Sequence, residues 1–298
     1  IETLVKNADT AMYRAKNQGR NTYQLYTPEM NAKTLEHLAM ENSLRRAISN
    51  NELMVYYQPR INIKNGKIIG VEALVRWNHP ELGILSPNLF IPIAEESGLI
   101  IQIGEQVLSE ACKQHTYWMN QGFPKFNMAV NLSVRQFKQN DLAGQVMNIV
   151  RETGVDPTML ELEVTESIAM ENVNNSLETL NRLKEFGINI AIDDFGTGYS
   201  SLVYLKKYPI NILKIDQSFI REICKDADTI TIVKAILELA KGLKLKVIVE
   251  GVENYEQMEL IRALKCYEMQ GYLFAVPMHK NEITPILKNG KILLTGII

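Results

Sequence analysis

The chain has 298 residues, 46% of them hydrophobic, which suffices for one large α/β domain with a substantial core or for two small ones. With a formal charge of −2 and no long basic run, nothing suggests a nucleic-acid backbone binder, so DNA and RNA are not expected partners. No apolar run reaches the roughly 20 residues of a membrane span, and the amino end, with Glu2, Lys6, Asp9 and Arg14, is not a signal peptide. Cys112, Cys224 and Cys266 are widely spaced and form no CxxC pattern, which predicts free thiols in a reducing compartment. The expected setting is cytoplasmic, without membrane contact from this fragment. The first residue is Ile1, which predicts a piece of a longer protein whose other parts could carry an anchor.

Residues 3–18 have the apolar spacing of an amphipathic helix, with Leu4, Ala8, Ala11, Met12 and Ala15 on one face and Gly19 as its stop. Asn21 to Tyr26 reads as a short strand, Thr27-Pro28 as a break and a domain junction, and 31–48 as a second helix. Strands at 53–60 and 67–77 flank Asn65-Gly66, a hairpin turn signal, so the first two strands are predicted to be antiparallel. Strands and helices then alternate. Ser86-Pro87 opens a helix that Gly98 closes, and helices follow at about 102–120 and 140–153. Strands at 125–132 and 159–165 precede a helix at 174–186 and a strand at 188–193. A short helix near 199–207, a strand at 211–215 and a helix at 229–241 capped by Asp228 come next. Strand 245–250, helix 254–264 and strand 267–272 end the series. Eight strands with interspersed helices predict an α/β fold, a (β/α)8 TIM-like barrel with an antiparallel first strand.

Most of these apolar stretches end in an acidic or polar residue: Glu72, Asn131, Glu163, Asp193-Asp194, Asp216, Glu250 and Gln270. Strand residues alternate between faces. Asn189, Ala191 and Asp193 therefore oppose Ile188, Ile190 and Ile192, and Glu161 and Glu163 oppose Leu160, Leu162 and Val164. The apolar face suits packing under helices, and the polar face points into the barrel. Buried carboxylates are costly unless paired or metal-bound, so several at one rim call for a cation.

Glu72, Asn131, Glu163 and Asp193 are candidates for one metal ion, and Asp194 for a second that Asp193 bridges. Oxygen-only donors favour Mg or Mn over zinc, and two such ions would activate a water and clamp a phosphodiester. Lys214 is the only cation in the strand-end set and is expected to stay protonated among carboxylates. Glu250 is the candidate general base. Arg76, four residues past Glu72 on the same parity, is a candidate for a phosphate oxygen. Plainer readings stand beside these: Asp193-Asp194 or Gln270-Gly271 as turns, and Lys214 as half of a structural salt bridge.

The tripeptide Glu72-Ala73-Leu74, followed by Val75-Arg76-Trp77, resembles the naming motif of the EAL family of cyclic di-GMP phosphodiesterases. The rest of that family's pattern follows in order: Tyr57-Gln58-Pro59 before it, then Asn131-Leu132-Ser133, Glu163 to Ser167, Asp193 to Ser201, Lys214-Ile215-Asp216, Glu250 to Glu253 and Gln270-Gly271-Tyr272. The resemblance spans about residues 35–280. It implies hydrolysis of cyclic di-GMP to linear pGpG with two Mg or Mn ions, commonly in a homodimer. It implies the metal roles above for Glu72, Asn131, Glu163, Asp193 and Asp194, with Glu250 as base and Lys214 positioning water. Gln58, Arg76, Asp216, Glu253 and Gln270 match positions that contact substrate, metal-bound water or one another. Glu166 matches a glutamate that supports the loop from Asp194 to Ser201. Tyr267 departs from the acidic or Asn residue usual three positions before the last Gln. The stretch Asn7 to Lys16 with Gly19-Arg20-Asn21 resembles the end of a GGDEF diguanylate cyclase domain, which predicts residues 1–28 as its remnant and 29–298 as the EAL domain. A binding-only receptor and an enolase-type barrel lyase are the competing functions. Retention of Glu250, Lys214 and both aspartates argues against the first, and the complete motif set against the second.

Overall fold

In the computed structural model, which describes residues 1–17, 21–171, 173–197 and 205–292, the chain divides into two units. One comprises Ile1–Leu53 and Trp77–Leu99, the other Met54–Arg76 and Ile100–Ile298.

The second unit holds the barrel. Its strands are β1 (Leu53–Asn62, from Met54 on), β2 (Lys67–His79, as far as Arg76), β4 (Asn127–Asn131), β5 (Leu160–Thr165), β6 (Asn189–Phe195), β7 (Ile212–Ile215), β8 (Lys246–Val249) and β9 (Glu268–Met269); a short β3 (Gly83–Leu85) follows β2 in the first unit. β2, β4, β5, β6, β7, β8 and β9 pair in parallel succession. β1 closes the ring, pairing with β2 on one side and antiparallel with β9 on the other, through Ile61↔Met269 and Asn62↔Glu268. The expected barrel with a reversed first strand is thus the observed fold. β10 (Met278–His279) adds outside β1 through Tyr56↔His279. The turn between β1 and β2 is the one expected, with Gly66 at φ +67 and Asn65 accepting from the Lys67 N–H at 3.0 Å.

Leu160, Leu162 and Val164 on β5, and Ile190 and Ile192 on β6 with Ile188 just before it, are all buried on the outward face. Covering helices start from side-chain caps at Asp141 and Asn254 and from Asp226, two residues before the expected Asp228. Asp226 holds the cap because its carboxylate accepts from the backbone N–H groups of Asp228 and Thr229. Inside the barrel, Ala191, Ile212 and Ile248 pack together as an apolar cluster. Each stands two residues before a rim group, respectively Asp193, Lys214 and Glu250, so strand alternation puts it one layer below the rim.

In the first unit, helices occupy Glu2–Asn17, Pro28–Ser49 and Pro87–Ser97. Asn21 to Tyr26 forms no strand: Asn21 has φ +48, and no ladder partner lies among the described residues. Thr27-Pro28 begins the second helix, since Pro fits the first helical turn where an N–H has no acceptor. Trp77 is fully buried, donates from Nε1 to Glu52 at 3.1 Å and meets Phe90 edge-on.

Other departures are local. The last barrel strand is two residues, not six, because the chain turns sharply at Gly271. The structure adds short helices at Val134–Phe137, Glu166–Glu171 and Gln217–Glu222 and a longer one at Lys280–Asn289, which buries Ile283 and Leu287 one turn apart. The helix expected near 199–207 lies mostly outside the described residues, as does Gly19. All three cysteines are free, Cys112 and Cys266 buried and Cys224 exposed. No helix among the described residues is long and apolar enough to cross a membrane.

Candidate active site

The parallel strands place their last inward side chains at one rim. Register fixes the neighbours: Asn131 stands opposite Glu163, and Thr165 opposite Asp193. Lys214 enters from β7, fully buried, and its ammonium lies 2.6 Å from Glu163, 2.7 Å from Glu250, 3.0 Å from Asp193 and 3.6 Å from Glu72. Burial alone would discharge this lysine, but the surrounding carboxylates hold its pKa well above the ordinary value.

A second cation belongs to this set. Arg60 comes from the reversed strand β1, two residues below Gln58 on the same inward face, and is 1% exposed. It donates to Glu161 at 2.5 Å, to Glu163, and from Nε to Gln270 Oε1 at 2.9 Å, and approaches Glu72 at 3.5 Å. Lys214 is therefore not the only cation here. The signal was available in parity: Gln58 and Arg60 share a face, and Glu161 shares one with Glu163.

Glu72 accepts from Asn131 at 2.7 Å and from Gln270 Nε2 at 2.7 Å. Burial pushes its pKa up, but Lys214, Arg60 and these two hydrogen bonds outweigh that and bring it down to about 2. Glu163 has one oxygen on Arg60 and the other on Lys214. Burial pulls its pKa up, yet with both oxygens accepting from charged donors the ionised form fits this geometry. Burial raises Glu250 to about 8, against the pull of Lys214.

Gln270 donates to Gln58 at 2.9 Å, and Gln58 donates to the Ala275 carbonyl at 3.0 Å. Gly271 makes this possible: a Cβ there would lie 2.1 Å from the Val252 carbonyl oxygen, so only glycine admits the turn that aims Gln270 inward.

The two aspartates break strand alternation. The β6–β7 register shifts between Ile192 and Phe195, and Asp194 has φ +53. Such an irregularity re-aims side chains, so Asp193 reaches Lys214 while the Asp194 carboxyl meets Asp216. Burial, then the charges of Asp193 and Asp216, raises Asp194 to about 6. Asp216 also accepts from Ser218 N–H at 2.9 Å, capping the helix that follows. Glu166, 3% exposed, accepts from the Gly196 N–H at 3.1 Å. The rest of the loop, residues 198–201, lies outside the described residues.

Two expected site residues stand apart. Arg76 is half-buried, donates to the Val75 carbonyl at 2.8 Å and packs over the Tyr56 ring at 5.7 Å. Glu253 is exposed, and its backbone N–H donates to Gln257 in the cap of the next helix.

Among the described residues, no three His, Cys, Asp or Glu side chains form a ready shell for an ion. They are turned onto Lys214 and Arg60 instead. The donor set still fits divalent cations: Glu72, Glu161, Glu163, Asp193 and Glu250 are five carboxylates against these two cations. The donors are all oxygens, which suits hard ions.

A β/α barrel whose functional groups converge at the C-terminal ends of its strands is the class this arrangement defines. A family model for the EAL domain matches residues 41–277, and the chain belongs to that family. It is 47% identical over 280 residues to the bifunctional diguanylate cyclase/cyclic di-GMP phosphodiesterase MucR of Pseudomonas aeruginosa, covering 94% of this chain and 41% of that protein. It is 39% identical over 277 residues to the cyclic di-GMP phosphodiesterase NbdA of the same organism, covering 93% of this chain and 35% of that protein. The chain thus spans well under half the length of these curated relatives. A solved structure described as the PaMucR phosphodiesterase in complex with c-di-GMP superposes with a TM-score of 0.80 at 46% identity, over 82% of this chain and 99% of that one.

Proposed function

We propose that this chain is a metal-dependent phosphodiesterase that hydrolyses cyclic di-GMP to linear pGpG in bacterial second-messenger signalling. The observation that carries the reading is the buried Lys214 ammonium held among Glu163, Glu250, Asp193 and Glu72 at the barrel rim, in a chain 46% identical to a structure solved with c-di-GMP. Glu72, Asn131, Glu163 and Asp193 would hold one Mg or Mn ion and Asp193 with Asp194 a second, which when bound supply charge neutralisation at the phosphate and acidify water.

The chain's own groups do the rest. Glu250 accepts the proton of the attacking water, and Lys214, 2.7 Å away, fixes its carboxylate in place. The water oxygen bonds to phosphorus, the bond from phosphorus to the ribose 3′ oxygen breaks, and that oxygen leaves as a hydroxyl with a proton drawn from solvent, to which Glu250 gives up the one it accepted. The Lys214 ammonium also offsets negative charge developing on the phosphoryl oxygens. Gln270, itself held by Gln58, holds Glu72, while Arg76 reaches a non-bridging oxygen and Asp216 and Glu253 shape the surrounding contacts. Glu166 steadies the loop that carries Asp194 through its bond to Gly196.

The same reading takes residues 1–28 as the end of a GGDEF domain and the working assembly as a homodimer, both on the motif resemblance, and the location as cytoplasmic, on the cysteine pattern. The deciding experiment incubates the chain with cyclic di-GMP and Mg or Mn and resolves the nucleotides. Linear pGpG that appears with the metal and vanishes with EDTA supports the reading. Bound but intact cyclic di-GMP replaces it with the receptor function.

A further inference from the structure

Glu163 has no free oxygen. Its Oε2 accepts from Lys214 at 2.6 Å at the rim, and its Oε1 accepts from Arg60. Arg60 is itself over-determined. Nε donates to Gln270 Oε1, Nη1 to Glu161, and Nη2 to Glu163. A planar fork that engages three acceptors in fixed directions has little freedom to swing. The bond to Gln270 Oε1 also sets that amide's orientation, leaving Nε2 to donate to Glu72 and Gln58.

We propose that Arg60 is a positioning residue for the metal site, one that withholds an oxygen of Glu163 and thereby biases the site towards small octahedral cations over calcium. The inference rests on the reading of Glu163 as a metal ligand given above. Mg and its like take single oxygens in near-octahedral geometry, whereas calcium takes six to eight ligands and favours bidentate carboxylates. With Oε1 engaged by a buried guanidinium, Glu163 can offer an incoming ion only the rim oxygen Oε2, once the Lys214 ammonium turns from it to Glu250 and Asp193. Becoming bidentate would break a charge-assisted bond in the barrel interior and leave Arg60 short of an acceptor. The neighbouring ligand, Glu72, is governed by the same arginine through Gln270. Arg60 thus touches no substrate and acts through two carboxylates and one amide.

The test measures metal affinity of the EDTA-stripped chain, with Mn titrated by the resonance signal of the free ion and Ca by competition. The Arg60→Gln/Glu161→Gln double variant removes one positive and one negative charge together, so the net charge beneath the site is unchanged. Far-UV circular dichroism and a urea midpoint establish that it folds. The expected result is a fall of about tenfold in the ratio of the Ca to the Mn dissociation constant, the lower end of what partners of metal ligands contribute. Arg60→Lys keeps the charge but loses the fork, and should move the ratio the same way by less; if the double variant does not fold, this variant decides alone. A wild-type ratio in folded variants overturns the assignment of Arg60 while leaving the metal reading intact. A wild-type chain that binds neither ion removes the metal reading itself, and the proposal with it.

Discussion

Beneath Asp193, Lys214 and Glu250 the barrel is filled by Ala191, Ile212 and Ile248. Around Glu72 and Glu163, the filling is Arg60 ion-paired with Glu161. The two sectors lie in one ring of strands and support the rim by opposite means. Apolar packing fixes the backbone of β7 and β8 and excludes water, which strengthens every charge interaction of Lys214 above it. The charged sector fixes side chains directly, through hydrogen bonds whose acceptors are themselves rim groups. Stability in the first sector should therefore depend on volume, and in the second on pairing.

Lys214 is where removing a partner should show the largest effect. Lys214→Met keeps most of the side-chain volume but leaves Glu163, Glu250, Asp193 and Glu72 without their common ammonium. Breaking a buried ion pair on one side costs about 3–5 kcal/mol, so the urea midpoint should fall by that equivalent at neutral pH and turnover should cease. Because the cost arises from ionised carboxylates, mildly acidic buffer should narrow the gap to wild type as they protonate. A variant as stable as wild type at pH 8 would mean that the carboxylates are held by something other than Lys214.

Glu250→Gln addresses the rim without disturbing either sector. It keeps the shape and a hydrogen-bonding group beside Lys214 but removes the proton acceptor. Turnover should drop by about 10²–10⁴-fold, the usual contribution of a general base, with cyclic di-GMP affinity and the urea midpoint near wild type. Near wild-type turnover would assign the base elsewhere. Ile248→Ala reports on the apolar sector alone. It should cost about 2–5 kcal/mol through the cavity it opens, with no pH dependence, in contrast to Lys214→Met. A pH-dependent loss would erase the distinction between the sectors.

The barrel and its reversed first strand were legible because hydrophobic period, strand length and Asn65-Gly66 all point one way. The rim residues were legible because each ends an apolar run. Arg60 carries no such mark: it ends no apolar run, and on a reversed strand the inward residues reach the site in the opposite order. Asp194 was placed at the rim by its neighbour and its motif, but strict alternation would have turned it away from Asp193. The register shift and the left-handed backbone at Asp194 supply what a period-two pattern has no means to encode. The strand at Asn21 to Tyr26 failed for a different reason: its composition suits a strand, but no ladder is available to it. The cap at Asp226 was displaced by two residues because Asp226 and Asp228 are chemically equal, and only backbone geometry chooses between them.

His115 extends the comparison to a buried titratable group with no counter-charge of its own. It is 1% exposed on the helix Ile100–Asn120, and its Nε2 lies 2.9 Å from the Phe126 carbonyl oxygen. That partner can only accept, so Nε2 carries the proton and Nδ1 is bare, without a hydrogen-bond partner among the described residues. The Phe126 ring stands edge-on at 5.2 Å. Burial lowers the imidazole's pKa, outweighing the carbonyl bond and the more distant Asp156. The folded state then binds fewer protons than the unfolded state, in which His titrates near 6.5. Stability is complete above that value and is lost as pH falls through the lowered folded value. His115→Gln retains a donor for the Phe126 carbonyl and cannot titrate. Its urea midpoint should therefore decline less steeply than wild type between pH 7.5 and pH 5, with the two curves closest at the alkaline end. Parallel slopes would show that His115 takes up its proton in the folded state as readily as in the unfolded chain, and that a lone buried base is tolerated here without the pairing that Lys214 and Arg60 require.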